Sequence, residues 1–226
     1  MKKQVVVIGM GRFGTSVATR LCSMGHNVLV LDRSEAKIQS LAQQVTHAAR
    51  ADATNEEALK ELGIGNFDVG IVAIGTDIKS SVLTTILLKR IGLPYVIARA
   101  NDELHGAILE RIGADAVTYP ERAMGISVAN WVTLLDVSDY MPIAEGYGIT
   151  KLTAPSYVEG EKLSELGLGR KGEWDLAVLL IQRAKEIIVT PGQTEKVEKG
   201  DVLVLAGEDD KMEKFLAETR KKRAEE

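Results

Sequence analysis

The sequence predicts an α/β protein, in which a Rossmann-like, doubly wound parallel sheet is followed by a crossover helix and a small α+β C-terminal domain. Two observations support this prediction. Residues 1–120 alternate short apolar runs with helical patterns, as expected of a parallel sheet covered by helices on both faces. The first apolar run, residues 5–8, leads directly into a glycine-rich turn and a helix, the order found in nucleotide-binding folds.

Short apolar runs predict six strands in the first part of the chain, at 4–9, 27–32, 45–49, 68–74, 95–100 and 115–119. Helical patterns lie between them, at 12–25, 34–44, 55–63, 77–91 and 103–112. Glycines stand where four of these helices are expected to end, at Gly25, Gly63, Gly92 and Gly113. Right-handed crossovers through the helices make the sheet doubly wound, so residues 1–120 are predicted to form one domain.

After Pro120 a further helix is predicted over residues 121–136, within a crossover segment that spans 121–138. Its apolar face consists of Met124, Val128, Trp131, Val132 and Leu135, and we expect this face to contact a second copy of the chain. Residues 139–226 are predicted to form a separate small domain. Its expected strands are 140–145, 149–154, 176–182, 186–189 and 202–206, and its expected helices are 161–167 and 209–223.

Composition excludes several classes of protein. Lys and Arg number 28 against 32 Asp and Glu, a formal charge of −4, so we expect no nucleic-acid partner. No apolar run approaches the roughly 20 residues of a membrane span, and the N-terminus resembles no secretion signal. The single cysteine, Cys22, cannot form an internal disulfide. These features predict a cytoplasmic location.

The turn at residues 9–14 predicts a bound adenine nucleotide. Gly9 permits the tight turn, Gly11 lets the backbone approach a phosphate, and Gly14 lets the helix pack closely on the strand. The helix N-terminus then offers N–H groups and a partial positive charge to the phosphates. Asp32 ends the second strand, where its carboxylate can accept hydrogen bonds from the ribose hydroxyls.

Other candidate residues follow the carboxyl ends of the predicted strands, where ligands bind in this fold. Arg12 and Arg99 are expected to face the phosphates, and Glu121 is available to a metal ion beside them. The predicted nucleotide-binding set is Gly9, Gly11, Arg12, Phe13, Gly14, Asp32, Arg33, Asp52, Ala53, Thr54, Ala73, Ile74, Gly75, Arg99 and Glu121.

Catalytic signatures are missing from the sequence. It contains three histidines, none of them in the C-terminal domain, and no nucleophile elbow, metal-ligand cluster or Walker-type motif. We therefore expect a protein that is not an enzyme. The alternatives are a small NAD-dependent oxidoreductase, which would need a proton donor or acceptor beside the nicotinamide, and a redox-sensing transcriptional regulator. The acidic charge and the lack of a helix-turn-helix segment disfavour the regulator.

A set of motifs resembles the cytosolic RCK (regulator of potassium conductance) subunits of Ktr/Trk potassium-uptake systems. The motifs are residues 7–14, Asp52-Ala53-Thr54, Val72-Ala73-Ile74-Gly75, Arg99-Ala100-Asn101 and Tyr119-Pro120-Glu121. The resemblance implies homodimers that assemble into an octameric ring, at the inner face of the membrane beneath a separate potassium channel subunit. ATP, ADP or NAD(H) would bind the N-domain and change the activity of the channel.

The same resemblance assigns roles to individual residues. It implies that Arg12 reaches a terminal phosphate, that Asp32 binds the ribose, and that Glu121 helps to hold a divalent or monovalent cation. Arg99 stands where many Ktr-type relatives have lysine, so the positive charge is kept but the geometry toward phosphate differs. In some relatives the C-domain binds a cyclic dinucleotide, but no version of that pocket's motif is found here.

Overall fold

A six-stranded parallel sheet forms the centre of the first part of the chain, in the order β3-β2-β1-β4-β5-β6. The computed structural model describes residues 2–133, 137–169 and 172–224, and the chain divides between Ala123 and Met124 into two compact units. The strands are β1 (Gln4–Ile8), β2 (Asn27–Asp32), β3 (His47–Arg50), β4 (Val69–Val72), β5 (Tyr95–Arg99) and β6 (Ala116–Thr118). The predicted doubly wound parallel sheet is confirmed. The predicted domain boundaries, after residues 120 and 138, stay predictions.

Helices connect these strands and cover the sheet. They are α1 (Arg12–Ser23), α2 (Glu35–Leu41), α3 (Glu56–Glu61), α4 (Ile78–Ile91) and α5 (Glu103–Arg111), and α6 (Pro120–Thr133) follows β6. A short 3₁₀ helix at Ile64–Asn66, which the sequence pattern does not predict, lies between α3 and β4. Gly92 ends α4 with a φ of +95°, and the glycines that follow α1, α3 and α5 also have positive φ, as expected of C-terminal caps.

Burial of β1 on both faces explains why its sequence is continuously apolar. Val6 and Ile8 pack into one core cluster, whereas Val5 and Val7 pack into a second cluster on the opposite face. All four side chains are at most 3% exposed. A strand in this position is covered by helices on both sides, as the doubly wound topology requires.

The second unit contains a five-stranded antiparallel sheet in the order β10-β9-β11-β8-β7. Its strands are β7 (Val137–Ala144), β8 (Tyr147–Thr153), β9 (Ala177–Arg183), β10 (Glu186–Val189) and β11 (Val202–Glu208), followed by helix α7 (Asp209–Ala224). A 3₁₀ turn at Ser156–Val158 follows β8. Leu163, Leu176, Ile181 and Leu205 are fully buried in a core that α7 closes with Phe215. The predicted small α+β domain is confirmed.

The helix predicted at 161–167 is wrong, because this segment forms turns. Leu163 and Ser164 donate their backbone N–H groups to the carbonyls of Glu195 and Gln193 instead of to a helical ladder. These bonds attach the segment to the stretch at 193–197, which is distant in sequence.

The apolar face predicted on α6 is seen only in part. Met124 and Val128 are exposed, while Leu135 and the side chains of Trp131 and Val132 lie outside the described residues. Contact of this face with a second copy of the chain stays a prediction. In the part of the chain that the structure describes, no helix is both long and apolar enough to cross a bilayer.

Candidate nucleotide-binding site

A cleft of about 230 Å³ lies at the carboxyl ends of the strands of the first unit. The order of the strands reverses between β1 and β4, and the loops that follow these two strands form its centre. This is the switch point at which doubly wound sheets bind their ligands. The predicted residues that line the cleft are Gly9, Gly11, Asp32, Arg33, Ala53, Thr54, Ala73, Ile74, Gly75 and Arg99.

The three glycines of the turn have different structural surroundings. Gly9 has a φ of +96°, and a Cβ there would press on Ile74. A Cβ on Gly14 would overlap the carbonyl oxygen of Gly9, so this glycine permits the close packing of α1 against β1. At Gly11, by contrast, a Cβ would meet no atom of the described chain within 4 Å. Packing of the described chain therefore does not require glycine at position 11, and the role of Gly11 in the approach of a phosphate stays a prediction.

Asp32 is held in a fixed orientation at the end of β2. Its Oδ2 accepts a hydrogen bond from the Met10 N–H (2.7 Å), and its Oδ1 accepts one from the Ser34 N–H (2.8 Å). The Lys37 ammonium also donates to Oδ2, at 3.2 Å. Burial by itself raises the pKa of Asp32, but the hydrogen bonds and the lysine outweigh it, so the pKa lies below its ordinary value. The carboxylate is therefore ionised at neutral pH and suited to accept hydrogen bonds from ribose hydroxyls.

Arg33 links two walls of the cleft. Its Nη2 donates to Asp52 Oδ1 (2.7 Å) and to Thr54 Oγ1 (3.1 Å) after β3, and it lies 3.4 Å from Ser80 Oγ on α4. Asp52 does not itself line the cleft, but it also accepts hydrogen bonds from the N–H and hydroxyl of Thr54. Asp52 thus positions Arg33 and Thr54 rather than facing a ligand.

Arg99 lies at the other end of the cleft, against Gly75. A Cβ on Gly75 would overlap the guanidinium group, so glycine makes room for Arg99 here. Arg99 Nη2 donates to Glu121 Oε1 at 2.6 Å, while its Nε is buried without a hydrogen-bond partner in the described structure. Asn101 donates its side-chain amide to the Gly75 carbonyl and fixes this corner.

Glu121 stands behind Arg99 rather than in the cleft lining, and 67% of its side chain is exposed. Within the described ranges no group of three or more His, Cys, Asp or Glu side chains could hold a metal ion. The role of Glu121 at a cation site therefore stays a prediction.

Arg12 and Phe13 begin α1 and do not line the cleft. Arg12 is exposed and has no ion pair with any described residue. Phe13 is half-buried and packs against the core on the Val5 and Val7 side of the sheet. The geometry of one chain leaves Arg12 accessible to a ligand but does not assign it one.

Eight lining residues lie outside the predicted set: Ile8, Leu31, Lys37, Ala51, Thr76, Asp77, Ser80 and Thr84. Thr76 and Asp77 directly follow Gly75, so the strand-end rule could have included them. Asp77 caps α4 by accepting hydrogen bonds from the N–H and hydroxyl of Ser80. Lys37 and Thr84 come from inside helices, and no strand-end signal marks them.

The fold and the cleft together define a class: two-unit proteins in which a Rossmann-type nucleotide-binding domain precedes a small antiparallel domain. Residues 5–120 match the TrkA-N domain family, and residues 150–219 match the TrkA-C domain family. The chain therefore belongs to the TrkA-type family of Ktr and Trk potassium-uptake proteins.

Curated relatives resemble the chain over almost its whole length. The Ktr system potassium uptake protein C of Bacillus subtilis is 37% identical over 207 residues, which cover 92% of this chain and 93% of the relative. The Ktr system potassium uptake protein A of the same organism is 36% identical, covering 94% of this chain and 95% of the relative. The predicted resemblance to this family is confirmed.

Solved structures support the fold. The GsuK channel has a TM-score of 0.65 at 16% identity and covers 94% of this chain, which spans 38% of the length of that protein. A GsuK channel structure bound to NAD has a TM-score of 0.54 at 20% identity, covering 95% of this chain and 38% of its own. The TrkA-N domain of the Escherichia coli inner membrane protein ybaL has a TM-score of 0.52 at 19% identity, covering 58% of this chain and 98% of its own.

Proposed function

We propose that the chain is a cytosolic, nucleotide-sensing regulatory subunit of a Ktr/Trk-type potassium transport system. The similarity to the Ktr proteins A and C over more than nine-tenths of the chain supports the transport role. The observation that carries the nucleotide-binding role is Gly11. It lines the cleft at the N-terminus of α1, and a Cβ there would meet no atom of the described chain within 4 Å. A partner in the membrane, and assembly of homodimers into an octameric ring beside it, belong to this proposal.

The ligand is an adenine nucleotide: ATP or ADP, alternatively NAD or NADH. Asp32 binds the ribose, and the N–H groups of the glycine turn at the start of α1 bind the phosphates. Arg99 and Arg12 supply positive charge for the terminal phosphates. A cation beside Glu121 completes the site. The GsuK channel, a structure with a similar fold, has been solved bound to NAD, which supports a nucleotide as the ligand of this chain.

Sensing requires that two nucleotides bind two conformations of the assembly with different affinities. ATP and ADP differ by one phosphate and its charge, so the arginines distinguish them more than the adenosine contacts do. The nucleotide whose phosphates fit one conformation better shifts the assembly toward that conformation. This shift changes potassium flux through the membrane partner.

Arg12→Gln tests the proposal, because it removes a cation near the phosphates while the fold is kept. Binding of ATP should weaken roughly tenfold or more, the equivalent of one charge-assisted hydrogen bond, and binding of ADP should weaken less. Titration calorimetry with the full chain measures both affinities. Arg20→Gln, an exposed arginine at the far end of α1, is the matched control. Equal losses for ATP and ADP would contradict a sensing role for Arg12.

An NAD-dependent oxidoreductase is the alternative function. In that case NADH absorbance would change during incubation of the purified protein with NAD and an alcohol or hydroxy-acid panel. Our proposal expects nucleotide binding without turnover. Substrate-dependent formation of NADH would contradict it.

A further inference from the structure

The carboxylate of Asp32 accepts hydrogen bonds from the glycine turn and also from groups outside that turn. Among the described residues, it accepts hydrogen bonds from the Met10 and Ser34 N–H groups and from the Lys37 ammonium. Two of these donors, the Met10 N–H and the Lys37 ammonium, share Oδ2, while Oδ1 accepts only from Ser34. Since each carboxylate oxygen has about two acceptor positions, Oδ2 is filled and Oδ1 has one position left.

A ribose in this cleft has two neighbouring hydroxyl groups that can donate to Asp32. One of them can use the open position on Oδ1. The other needs a position on Oδ2, and that position is taken by Lys37. The two hydroxyls therefore cannot both bond to Asp32 while Lys37 keeps its contact.

Of the three donors, Lys37 is the one that can leave. The Met10 and Ser34 donors are backbone groups, whose positions are fixed by the glycine turn and by the start of α2. Lys37 makes the longest of the three contacts, 3.2 Å, and half of its side chain is exposed. A flexible lysine at a partly exposed ion pair loses little when it moves into water.

We propose that Lys37 is a specificity-determining residue of the nucleotide site, which competes with one ribose hydroxyl for Asp32. This inference rests on the proposed function, since it concerns the ribose of the bound adenine nucleotide. In the unaltered protein, the hydrogen bond from this hydroxyl to Asp32 replaces the one from Lys37, so this hydroxyl adds little affinity. Removal of the ammonium opens the second position, so both hydroxyls then contribute in full.

The position of the pair distinguishes this role from that of an ordinary surface ion pair. The side chain of Asp32 is only 10% exposed, and both Asp32 and Lys37 line the cleft. The pair formed by Lys60 and Glu56 provides the contrast. It lies within α3, has a similar length of 2.9 Å, and neither residue lines the cleft.

The experiment compares Lys37→Met with the matched control Lys60→Met and the unaltered protein. Calorimetric titrations of the full chain with ADP, 2′-deoxy-ADP and 3′-deoxy-ADP give two ratios of dissociation constants for each protein. The ratios cancel the contribution of the phosphates, so a general change in charge does not affect them. For one of the two deoxy analogues, the ratio to ADP should rise about tenfold or more in Lys37→Met, which corresponds to one hydrogen bond to a charged group. In Lys60→Met both ratios should match the unaltered protein.

Two results would overturn the inference, and only the second would also overturn the proposed function. If ADP binds all three proteins and both ratios stay the same in Lys37→Met, Lys37 does not compete with the ribose, and the proposed function stands. If the unaltered protein binds none of ADP, ATP, NAD and NADH, the proposed function fails and this inference fails with it.

Discussion

Gly11→Ala is expected to abolish nucleotide binding while the fold is kept. Gly11 has a φ of −88° and a ψ of −172°, an extended conformation that alanine adopts without strain, and its Cβ would meet no described atom of the chain within 4 Å. Alanine is a poorer N-cap than glycine, which lowers the free energy of unfolding by about 1 kcal/mol at most. The unfolding midpoint should therefore fall by only a few degrees.

The loss of binding should be much larger than this. In the proposed site, the added methyl group would occupy the space through which a phosphate reaches the N–H groups of the turn. Displacement of the phosphates from two such donors removes about 3 kcal/mol or more, a loss in ADP affinity of at least roughly 100-fold. Calorimetry measures the affinity, and thermal unfolding without ligand measures the fold.

Gly14→Ala is the matched control, because its Cβ would overlap the Gly9 carbonyl oxygen and contact Ala73. Overpacking of this kind lowers the free energy of unfolding by about 1–3 kcal/mol, so this variant should lose stability as well as binding. If Gly11→Ala binds ADP like the unaltered protein at an unchanged unfolding midpoint, the missing Cβ does not serve a phosphate and our assignment of the site is wrong.

Two further predictions concern the second unit. Arg183→Met leaves the fully buried Asp201 carboxylate with only the Glu198 N–H among the donors described, and should lower the free energy of unfolding by about 3–5 kcal/mol in a denaturant titration. Lys211→Met removes an ion pair whose partner, Asp175, is 69% exposed, and it should change the free energy of unfolding by less than about 1 kcal/mol. Equal effects of the two substitutions would show that burial does not make the Arg183 ion pair more important for stability. Burial and the hydrogen bond to Asp209 raise the pKa of Tyr140 to about 12, above its unfolded value, so the stability this residue contributes is present below about pH 10 and is lost between pH 10 and 12. Tyr140→Phe should therefore be about 1 kcal/mol less stable at neutral pH and should lose less stability in that alkaline range, whereas parallel pH profiles would contradict this.

The sequence contains strong signals for the first unit. Strands buried on both faces must be continuously apolar, which makes runs such as residues 5–8 easy to recognise. Glycines such as Gly92 are required by the backbone where a helix ends, so they mark boundaries reliably. The strand-end rule then places ten of the candidate residues around one cleft.

The remaining features depend on contacts between distant segments, which local patterns do not encode. The turns at 161–167 donate hydrogen bonds to the carbonyls of Gln193 and Glu195, and no pattern within residues 161–167 predicts these contacts. Lys37 reaches the cleft from α2 by donating a hydrogen bond to Asp32, and Glu121, at the start of α6, accepts a hydrogen bond from Arg99 at the end of β5. The role of Arg12 stays a prediction because its side chain forms no ion pair in the described part of the chain.

The claim that an adenine nucleotide binds at the glycine turn is tested most directly by identifying what co-purifies with the protein. Mass spectrometry of the released ligand, with its stoichiometry per chain, should be carried out on the unaltered protein and on Gly11→Ala prepared in the same way. We expect ATP, ADP or NAD(H) in stoichiometric amounts from the unaltered protein and essentially none from Gly11→Ala. No nucleotide from the unaltered protein after purification in the presence of ADP, or equal amounts from both proteins, would contradict the account.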